Sequence, residues 1–521
     1  MFPNMDARHT NVADFLLVGK PPERTALYMA TADHTYGELC QSVSLVAAHL
    51  RLIGAAGDRL ILIGENSLFW VTAYLAALHA GFVCVPLPAT VPPNDLDYIL
   101  NVTEARIVCA DAPVVVRHGR HFCNCHVVAD SVPPLVPDAL SCRSFGDLGS
   151  DVPNGEGYSS VGCGDHLAAL MFTSGSTGRP RGVMVSHANI IANTESIIQY
   201  LGLNAADRIM TVLPFHYCFG TSLLHTHLRV GGSLVIDSRF MYPEVVLQRM
   251  VDTQCTGFAG VPSHFQLLLH RSSLREKKFP HLRYVQQAGG HLAPPFVQAL
   301  RDSLPGTRVF VMYGQTEATA RLSYLPPEFL DNKLGSIGKG IPGVTLQVLT
   351  ESGEPVKPGE VGEIVAKGPN VTHGYWRAPL ESAAIFRDGR LYTGDLATVD
   401  GDGFIYVVGR SKDFLKCGGQ RISCRQLEEQ ILGCEAVMEA AVVPTPDPIL
   451  GDAVKLFVVP LDLDFGGLEA RLRLFCKERM PPHLVPKEIV VLQSLPKNSA
   501  GKVLKENLKI RQSSEPVAAL V

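Results

Sequence analysis

The chain has 521 residues, 46% of them hydrophobic and 18% charged, and its 46 basic and 50 acidic residues give a net charge of −4. This length predicts two or more domains with a large buried core. The balanced charge argues against a nucleic-acid binder and against a polybasic membrane anchor. The N-terminus lacks an apolar stretch behind a basic start, so no signal peptide is expected. The 13 cysteines are scattered, without zinc-site spacing, which predicts reduced thiols in a cytoplasmic protein.

The first predicted elements alternate between helix and strand. Thr35 and Glu38 form a capping-box pattern before a helix that continues to about Leu50. The apolar run 59–63 predicts a buried strand. Residues 69–88 form the most apolar stretch, but polar and glycine residues interrupt it. We therefore expect a buried helix that leads into a strand at 83–87 and no membrane span.

This alternation continues to about Val285 and predicts an α/β fold with parallel sheets covered by helices. Residues 130–164 contain many Pro, Gly, Ser and Asp residues and predict a connector. After about Gly335 the strands become short, and the turn 400–403 (DGDG) is typical of a hairpin, which indicates a smaller, barrel-like sheet.

The last hundred or so residues predict a compact α+β unit. Its expected elements are a helix at 424–432, strands at 439–443 and 453–459, a helix at 468–479 and a strand at 488–492. The predicted organisation is an N-terminal domain over 1–409, a hinge at 410–413 and a small mobile C-terminal domain over 414–521.

Residues 173–182, TSGSTGRPRG, follow the apolar run 167–172 and form the most informative segment. Glycines let the backbone approach an anion, hydroxyls add donors, and an arginine adds positive charge. The loop lacks the Gly-Lys-Ser/Thr sequence of a Walker loop. Its candidate phosphate contacts are Thr173, Ser174, Gly175, Ser176, Thr177, Gly178 and Arg181.

The loop resembles the signature of the adenylate-forming superfamily, which comprises acyl- and aryl-CoA synthetases, peptide-synthetase adenylation domains and beetle luciferases. Matching stretches follow in the expected order at 313–317 (YGQTE), 392–395 (YTGD), 409–413 (GRSKD) and 496–502 (PKNSAGK). The resemblance is greatest to acyl-CoA synthetases. It implies that ATP and Mg²⁺ activate an organic carboxylic acid, a small molecule, as its acyl-AMP with release of pyrophosphate, and that the acyl group then passes to a thiol.

The resemblance also implies nucleotide contacts. Tyr313 stacks on adenine opposite Gly289 and Gly290, while Asp395, which has two acceptor oxygens, binds the ribose hydroxyls. Glu317 is the implied magnesium ligand, since Mg²⁺ prefers carboxylate oxygens and keeps several waters. The other implied contacts are Gly314, Gln315, Thr316, which donates to the α-phosphate, and Arg410.

Three lysines have implied roles in catalysis and domain motion. Lys502 is the expected catalytic cation, because its ammonium offsets the repulsion between the carboxylate and the α-phosphate. Lys412 is the implied pivot about which the C-terminal domain rotates between the two half-reactions. Lys416 then lies on the face presented for thioester formation.

The acid is expected to enter past the segment 214–220, where His216 is the implied aromatic gate. The other predicted pocket residues are Phe215, Thr221, Gly260 and Gln286. This segment lacks the aspartate that holds an ammonium group in amino-acid-activating relatives, which argues against an α-amino acid and favours a fatty, aryl or similar acid. Arg239, Arg283 and Arg321 could each pair with a second carboxylate of the acid, but each is expected to be a structural or surface residue.

One departure and two alternatives stay open at this stage. Arg181 stands where the family usually has lysine, which changes the geometry of the pyrophosphate contact. The thiol is expected to be that of CoA, and the alternative is the phosphopantetheine of an acyl carrier protein. A remoter alternative is a non-catalytic adenylate-binding relative, although the charged site residues are all present.

Overall fold

The structure is a computed structural model that describes residues 10–134, 140–150, 160–161, 164–173, 179–410, 413–417, 420–461, 467–497, 501 and 503–509. The described strands are β1 Thr25–Tyr28, β2 Asp33–Thr35, β3 Arg59–Ile63, β4 Val83–Leu87, β5 Ile107–Ala110, β6 His126–Ala129, β7 Cys142–Ser144, β8 Leu167–Thr173, β9 Arg181–Ser186, β10 Arg208–Thr211, β11 Ser233–Ile236, β12 Gly257–Gly260, β13 Tyr284–Gln287, β14 Arg308–Tyr313, β15 Ser323–Leu325, β16 Lys339–Gly340, β17 Thr345–Leu349, β18 Gly362–Lys367, β19 Phe386–Arg387, β20 Arg390–Val399, β21 Ile405–Arg410, β22 Phe414–Cys417, β23 Gln420–Ser423, β24 Val437–Asp447, β25 Gly451–Pro460 and β26 Glu488–Val491.

The described α-helices are α1 Val12–Leu17, α2 Tyr36–Ile53, α3 Leu68–His79, α4 Pro93–Thr103, α5 Ala112–His118, α6 His187–Leu201, α7 Cys218–Val230, α8 Pro243–Asp252, α9 Pro262–Arg271, α10 Pro294–Ser303, α11 Pro379–Ile385, α12 Cys424–Leu432, α13 Leu468–Arg479 and α14 Lys505–Lys509. Within the described residues, none of these helices has the length and apolar character needed to cross a membrane.

Two large sheets form the N-terminal region. One has nine strands in the order β16-β15-β14-β13-β12-β10-β11-β1-β2, and the other has seven in the order β7-β6-β5-β3-β4-β8-β9. Helices α1, α2, α3, α6 and α7 share one hydrophobic core with both sheets. The outer faces are covered by α8, α9 and α10 on the nine-stranded sheet and by α4 and α5 on the seven-stranded sheet. This layering confirms the predicted α/β class with helix-covered, mainly parallel sheets.

Local sequence signals explain several of these elements. The capping box at the start of α2 is present, with Glu38 N donating to Thr35 Oγ1 and Thr35 N donating to the Glu38 carboxylate. Helix α3 is buried on nearly all of its surface and leads into β4, which explains the long apolar run around Trp70. Every described cysteine is a free thiol.

The smaller units also match the prediction in type. Strands β17 to β21 form an antiparallel five-stranded sheet, and the turn 400–403 joins β20 to β21. Strands β22 to β26 form a second five-stranded sheet that packs with α12 and α13 in its own hydrophobic core. Helices α12 and α13 have the predicted bounds, whereas β24 and β25 extend beyond the predicted strands.

Candidate active site

Several segments that are predicted to contact the nucleotide lie together at the carboxyl ends of neighbouring strands, which form one edge of the nine-stranded sheet. Strands β12, β13 and β14 are parallel neighbours, and Gly260 pairs with Gln287 at their carboxyl ends. The glycines Gly289 and Gly290 follow β13, and the segment that begins at Tyr313 follows β14. Loops after adjacent parallel strands line the crevice in which open α/β sheets bind their ligands. The topology therefore brings these segments together.

Two glycines at this edge leave no room for a side chain. Gly289 has φ +82°, and a Cβ placed there would lie 2.8 Å from Val261 Cγ1. A Cβ at Gly314 would lie 2.0 Å from the carbonyl oxygen of Ala320. Both positions therefore require glycine, and both allow close approach of a ligand to the backbone.

The carboxylate of Asp395 is held from two sides. The Tyr313 hydroxyl donates to Oδ2 at 2.6 Å, and Arg410 Nε donates to Oδ1 at 3.0 Å. Asp395 and Arg410 are direct partners across β20 and β21, which explains their contact. Burial and the charge of Asp395 raise the pKa of Tyr313, so its hydroxyl stays protonated and remains a donor. Tyr313, Asp395 and Arg410 thus form one hydrogen-bonded group.

Glu317 lies in a short 3₁₀ turn directly after this group and is fixed at both its backbone and its side chain. Its carbonyl oxygen accepts hydrogen bonds from Thr372 N at 3.0 Å and Thr372 Oγ1 at 2.9 Å. Its carboxylate oxygen Oε1 accepts a hydrogen bond of 2.7 Å from the hydroxyl of Tyr375. Burial, followed by the charge of Glu317, raises the pKa of Tyr375 and keeps that hydroxyl a donor.

Arg181 joins this group from the predicted phosphate loop. Its guanidinium carbon lies 5.5 Å from the ring centroid of Tyr375. Arg181 is the cross-strand partner of Thr173, so the two residues stand opposite each other at the base of the β8–β9 hairpin. The backbone of Trp376 donates to the carbonyl of Gly182, which ties this hairpin to the segment that carries Tyr375. Arg181 and Glu317 therefore both contact Tyr375, Arg181 at its ring and Glu317 at its hydroxyl.

A small internal cavity begins beside Thr316, whose hydroxyl oxygen lies 3.5 Å from the Cys218 sulfur. The cavity encloses about 20 Å³, which is room for about one water. Its described lining combines apolar and neutral polar side chains and contains no carboxylate; it includes Tyr74, Asn193, Cys218, Thr221, His225 and Ala320. His225 Nε2 and the Tyr74 hydroxyl are 2.9 Å apart, and burial lowers the pKa of His225 to about 3.

The predicted pocket residues have different environments. Thr221 lines the cavity, whereas the Phe215 ring is fully buried 5.3 Å from the Trp70 ring and belongs to the core. His216 is half-buried, its Nε2 atom has no hydrogen-bond partner among the described residues, and burial lowers its pKa to about 4. Gln286 is 1% exposed, and neither its Oε1 nor its Nε2 atom has a partner in the described chain.

The described part of the C-terminal unit contacts this same edge of the nine-stranded sheet, at the carboxyl ends of its strands. A Cβ at Gly501 would lie 3.0 Å from Val261 Cγ2, and Val261 also borders Gly289. His291, directly after the paired glycines, lies 2.7 Å from Glu429 of α12. Gly501, the chain neighbour of Lys502, is therefore beside the glycine pair that is predicted to form the adenine wall.

Lys416, in contrast, is exposed on β22, and its backbone N–H donates to Asp452. Lys502 itself lies outside the described residues, as do Lys412 and the five loop positions Ser174, Gly175, Ser176, Thr177 and Gly178.

Several residues of this site carry little recognisable signal in the sequence. Tyr375 carries no charge and is far from Glu317 in the chain, and the adjoining Gly374 and Trp376 were its only local signal. Cys218 resembles any small core residue in sequence. The contact of His291 with Glu429 joins two units whose arrangement no local pattern encodes.

Residues 17–376 match the model of a family described as AMP-binding enzyme. Residues 426–502 match a second model, described as AMP-binding enzyme C-terminal domain. The first match includes Tyr313, Glu317 and Tyr375, and the second includes Glu429 and Gly501, whereas Asp395 and Arg410 lie between the two matched ranges.

Individual relatives cover almost the whole chain. A feruloyl-CoA synthase from an Amycolatopsis species is 32% identical over 502 residues, which are 94% of this chain and 96% of that protein. The structure of ATP-bound MatB from Rhodopseudomonas palustris has a TM-score of 0.85 at 28% identity and covers 96% of this chain and 98% of that chain. The structure of o-succinylbenzoate CoA synthetase (MenE) from Bacillus subtilis with the acyl-adenylate intermediate OSB-AMP has a TM-score of 0.84 at 26% identity, with 98% and 99% coverage.

Proposed function

The chain belongs to the AMP-binding enzyme family as an AMP-forming acid–thiol ligase, and we propose that it joins a carboxylic acid other than an α-amino acid to CoA. The acid first reacts with ATP to give acyl-AMP and pyrophosphate. The thiol then displaces AMP. The observation that carries this proposal is the convergence of Asp395 and Glu317, each in a fixed orientation, with the paired glycines at one sheet edge.

In the first half-reaction a carboxylate oxygen of the acid attacks the α-phosphorus of ATP, and the bond to the pyrophosphate oxygen breaks. Asp395 accepts hydrogen bonds from the ribose, because each of its oxygens has further acceptor capacity beyond Tyr313 and Arg410. The adenine lies between Tyr313 and the Gly289–Gly290 backbone. Thr316 donates to the α-phosphate oxygen on which negative charge develops.

The residues around Glu317 fit a magnesium ion. Glu317 is a single hard carboxylate whose Oε1 atom is oriented by Tyr375, and Mg²⁺ is commonly bound by one or two carboxylates together with substrate phosphates and waters. A bound magnesium ion neutralises phosphate charge. Arg181 adds a positive charge on the same side and is our proposed contact for the departing pyrophosphate.

Lys502 is the proposed catalytic cation that bridges the acid and the α-phosphate. This assignment is supported by Gly501, which packs against Val261 beside the adenine wall. The described contacts therefore correspond to an arrangement suited to adenylation. In the second half-reaction the thiol sulfur attacks the acyl carbon, and the carbon–oxygen bond to AMP breaks. We propose that rotation about Lys412 withdraws Lys502 and presents the face that carries Lys416.

The lining of the cavity supports an acid without an ammonium group. The described side chains around it include no aspartate or glutamate, so an α-ammonium would be buried without a counter-charge. His216 is proposed as a neutral aromatic gate, since its lowered pKa of about 4 keeps it uncharged at neutral pH. Thr221 borders the cavity, and Gly260 and Gln286 are the proposed residues deeper at the strand ends.

The proposed acceptor is CoA, because two of the relatives reported above are named as a feruloyl-CoA synthase and an o-succinylbenzoate CoA synthetase. A direct experiment incubates the enzyme with ATP, Mg²⁺, CoA and a panel of carboxylic acids and identifies products by mass spectrometry. The proposal expects AMP and an acyl-CoA thioester. Acyl-AMP that accumulates with CoA present, and is consumed only by a phosphopantetheinyl carrier protein, would instead favour a carrier-loading ligase. Absence of AMP with every acid would refute both.

A further inference from the structure

Arg321 is a buried cation without a counter-charge in the described protein. It follows the cavity-lining residue Ala320, is only 1% exposed, and its Nε and Nη2 atoms have no hydrogen-bond partner among the described residues. Its guanidinium carbon lies 4.0 Å from the ring centroid of Phe219, and its neighbouring polar group is the hydroxyl of Tyr200. An unpaired buried charge is costly unless another group satisfies it.

Arg239 and Arg283 differ from Arg321 because each has a carboxylate partner. Arg239 makes two hydrogen bonds to Asp237, and Arg283 contacts both carboxylate oxygens of Asp207. Both arginines are also partly exposed. Arg239 and Arg283 therefore have structural roles as partners of buried aspartates. Of the three arginines, Arg321 alone has no counter-charge among the described residues.

Arg321 lies beside the site and close to a second unsatisfied polar group. Its Cα would lie 2.8 Å from a Cβ at Gly314, and its carbonyl oxygen accepts a hydrogen bond from Asn193, which lines the cavity. On β13, Gln286 is fully buried, and neither of its amide atoms has a hydrogen-bond partner among the described residues. Its strand partner Phe310 belongs to the same core as Phe219.

The two side chains therefore face one core from neighbouring elements. The guanidinium of Arg321 offers two parallel N–H donors and a positive charge, and the amide of Gln286 offers a further donor. Such a set of donors matches the geometry of a carboxylate.

We propose that Arg321, assisted by Gln286, recognises a second carboxylate on the acid substrate, so that the enzyme activates dicarboxylic acids. This inference rests on the proposed function and specifies the substrate class of the same site. One carboxylate reacts beside Thr316. The other carboxylate replaces the ring of Phe219 as the contact of the Arg321 guanidinium. Because the cavity holds about one water, side chains around it must shift when the acid binds.

The test measures acid-dependent ATP–pyrophosphate exchange with matched pairs of acids that have the same carbon skeleton and either one or two carboxylates, both aliphatic and aromatic. A site built around a buried charged donor discriminates strongly against an analogue that lacks the acceptor. We expect kcat/KM for the best diacid to exceed that of its monoacid counterpart by roughly 100-fold or more.

Amino-acid substitutions then test which residues produce the preference for the diacid. We expect Arg321→Met to lower the ratio of the two kcat/KM values by roughly 100-fold, and Arg321→Lys to retain part of it, since lysine keeps the charge but not the fork. Gln286→Leu should reduce the ratio by less. Arg283→Met is the matched control, because Arg283 already pairs with Asp207, and the ratio should not change.

Several outcomes would overturn the proposal while leaving the acid–thiol ligase function intact. One is wild-type enzyme that prefers the monoacid of each pair. Another is a diacid preference that survives Arg321→Met. A third is a variant whose KM for ATP rises equally with both acids, since this would make Arg321 a phosphate contact. Absence of exchange with every acid would instead contradict the proposed function itself.

Discussion

The Tyr375 hydroxyl donates a hydrogen bond of 2.7 Å to Glu317 Oε1, a residue 58 positions away in the chain. This contact restricts the orientation of the carboxylate that we propose as the magnesium ligand. Partners that orient a metal ligand typically change metal affinity by roughly 10–100-fold when they are removed. We therefore expect Tyr375→Phe to raise the Mg²⁺ concentration for half-maximal pyrophosphate exchange by about 10-fold.

Tyr406→Phe is the control for this prediction, because the Tyr406 hydroxyl lies 3.4 Å from the carboxylate of Asp400 in a hairpin of the smaller sheet. It should leave the magnesium dependence unchanged. An unaltered magnesium curve for Tyr375→Phe would show that the hydrogen bond has no part in metal binding.

Glu317 supplies the second prediction, which concerns the metal itself. We expect excess EDTA to abolish acyl-AMP formation and added Mg²⁺ to restore it, since the ion is needed to neutralise phosphate charge. Glu317→Gln removes the carboxylate charge but keeps the shape, so magnesium affinity and rate should fall together. Titration of activity with Mg²⁺ measures both quantities. Full activity in excess EDTA would rule out the metal requirement.

The third prediction concerns the contact between His291 of the N-terminal region and helix α12 of the C-terminal unit. His291 lies 2.7 Å from Glu429 of α12 and also contacts Arg425. If these contacts favour the adenylation arrangement, His291→Ala should lower the adenylation rate by roughly 5-fold, which corresponds to about 1 kcal/mol. Thioester formation from supplied acyl-AMP should be unaffected. Equal losses in both half-reactions would contradict this interpretation, and the exposed Glu435→Gln serves as a control.

Buried neutral histidines give the fourth prediction, an acid-dependent loss of stability. His187 Nδ1 accepts a hydrogen bond from Val12 N–H, and burial lowers the pKa of His187 from 6.5 to about 4. An unfolded chain therefore binds this proton below pH 6.5 while the folded chain does not. The stability contribution is complete above pH 6.5 and is lost as the pH falls towards 4, at up to about 1.4 kcal/mol per pH unit.

Urea unfolding at pH 7 and pH 5 measures this effect. We expect a lower midpoint at pH 5, and a smaller difference for His187→Asn, whose amide oxygen can accept the same N–H. The exposed His126→Asn should retain the difference of the wild-type chain. A midpoint that does not change between the two pH values would contradict the prediction.

Local chemistry in the sequence predicted much of the fold. The capping box of Thr35 and Glu38 begins α2 as expected, and α12 begins and ends where the pattern placed it. The family resemblance brought Tyr313, Asp395 and Arg410 together, and the structure places them within hydrogen-bond distance of one another through Asp395.

The remaining features depend on contacts between distant segments. Tyr375 reaches Glu317 only because its segment pairs with β9, and His291 reaches Glu429 only because α12 lies beside the segment that follows β13. The sequence also does not show that Arg321 lacks a counter-charge among the described residues. It gives no sign that Asp237 and Asp207 pair with the other two arginines. Hydrophobic periodicity and turn chemistry report neighbours along the chain and carry no signal for such partners.

The central claim is that this site forms acyl-AMP with Lys502 as the catalytic cation. The most direct measurement is acid-dependent ATP–pyrophosphate exchange by the wild-type enzyme and by Lys502→Ala, with Lys509→Ala as a control for an exposed lysine that pairs with Glu506. The account predicts exchange only when an acid is present, a loss of roughly 10²–10³-fold in Lys502→Ala, and little change in the control. Exchange by Lys502→Ala at nearly the wild-type rate would contradict the assignment of Lys502, and no exchange with any acid would contradict the account as a whole.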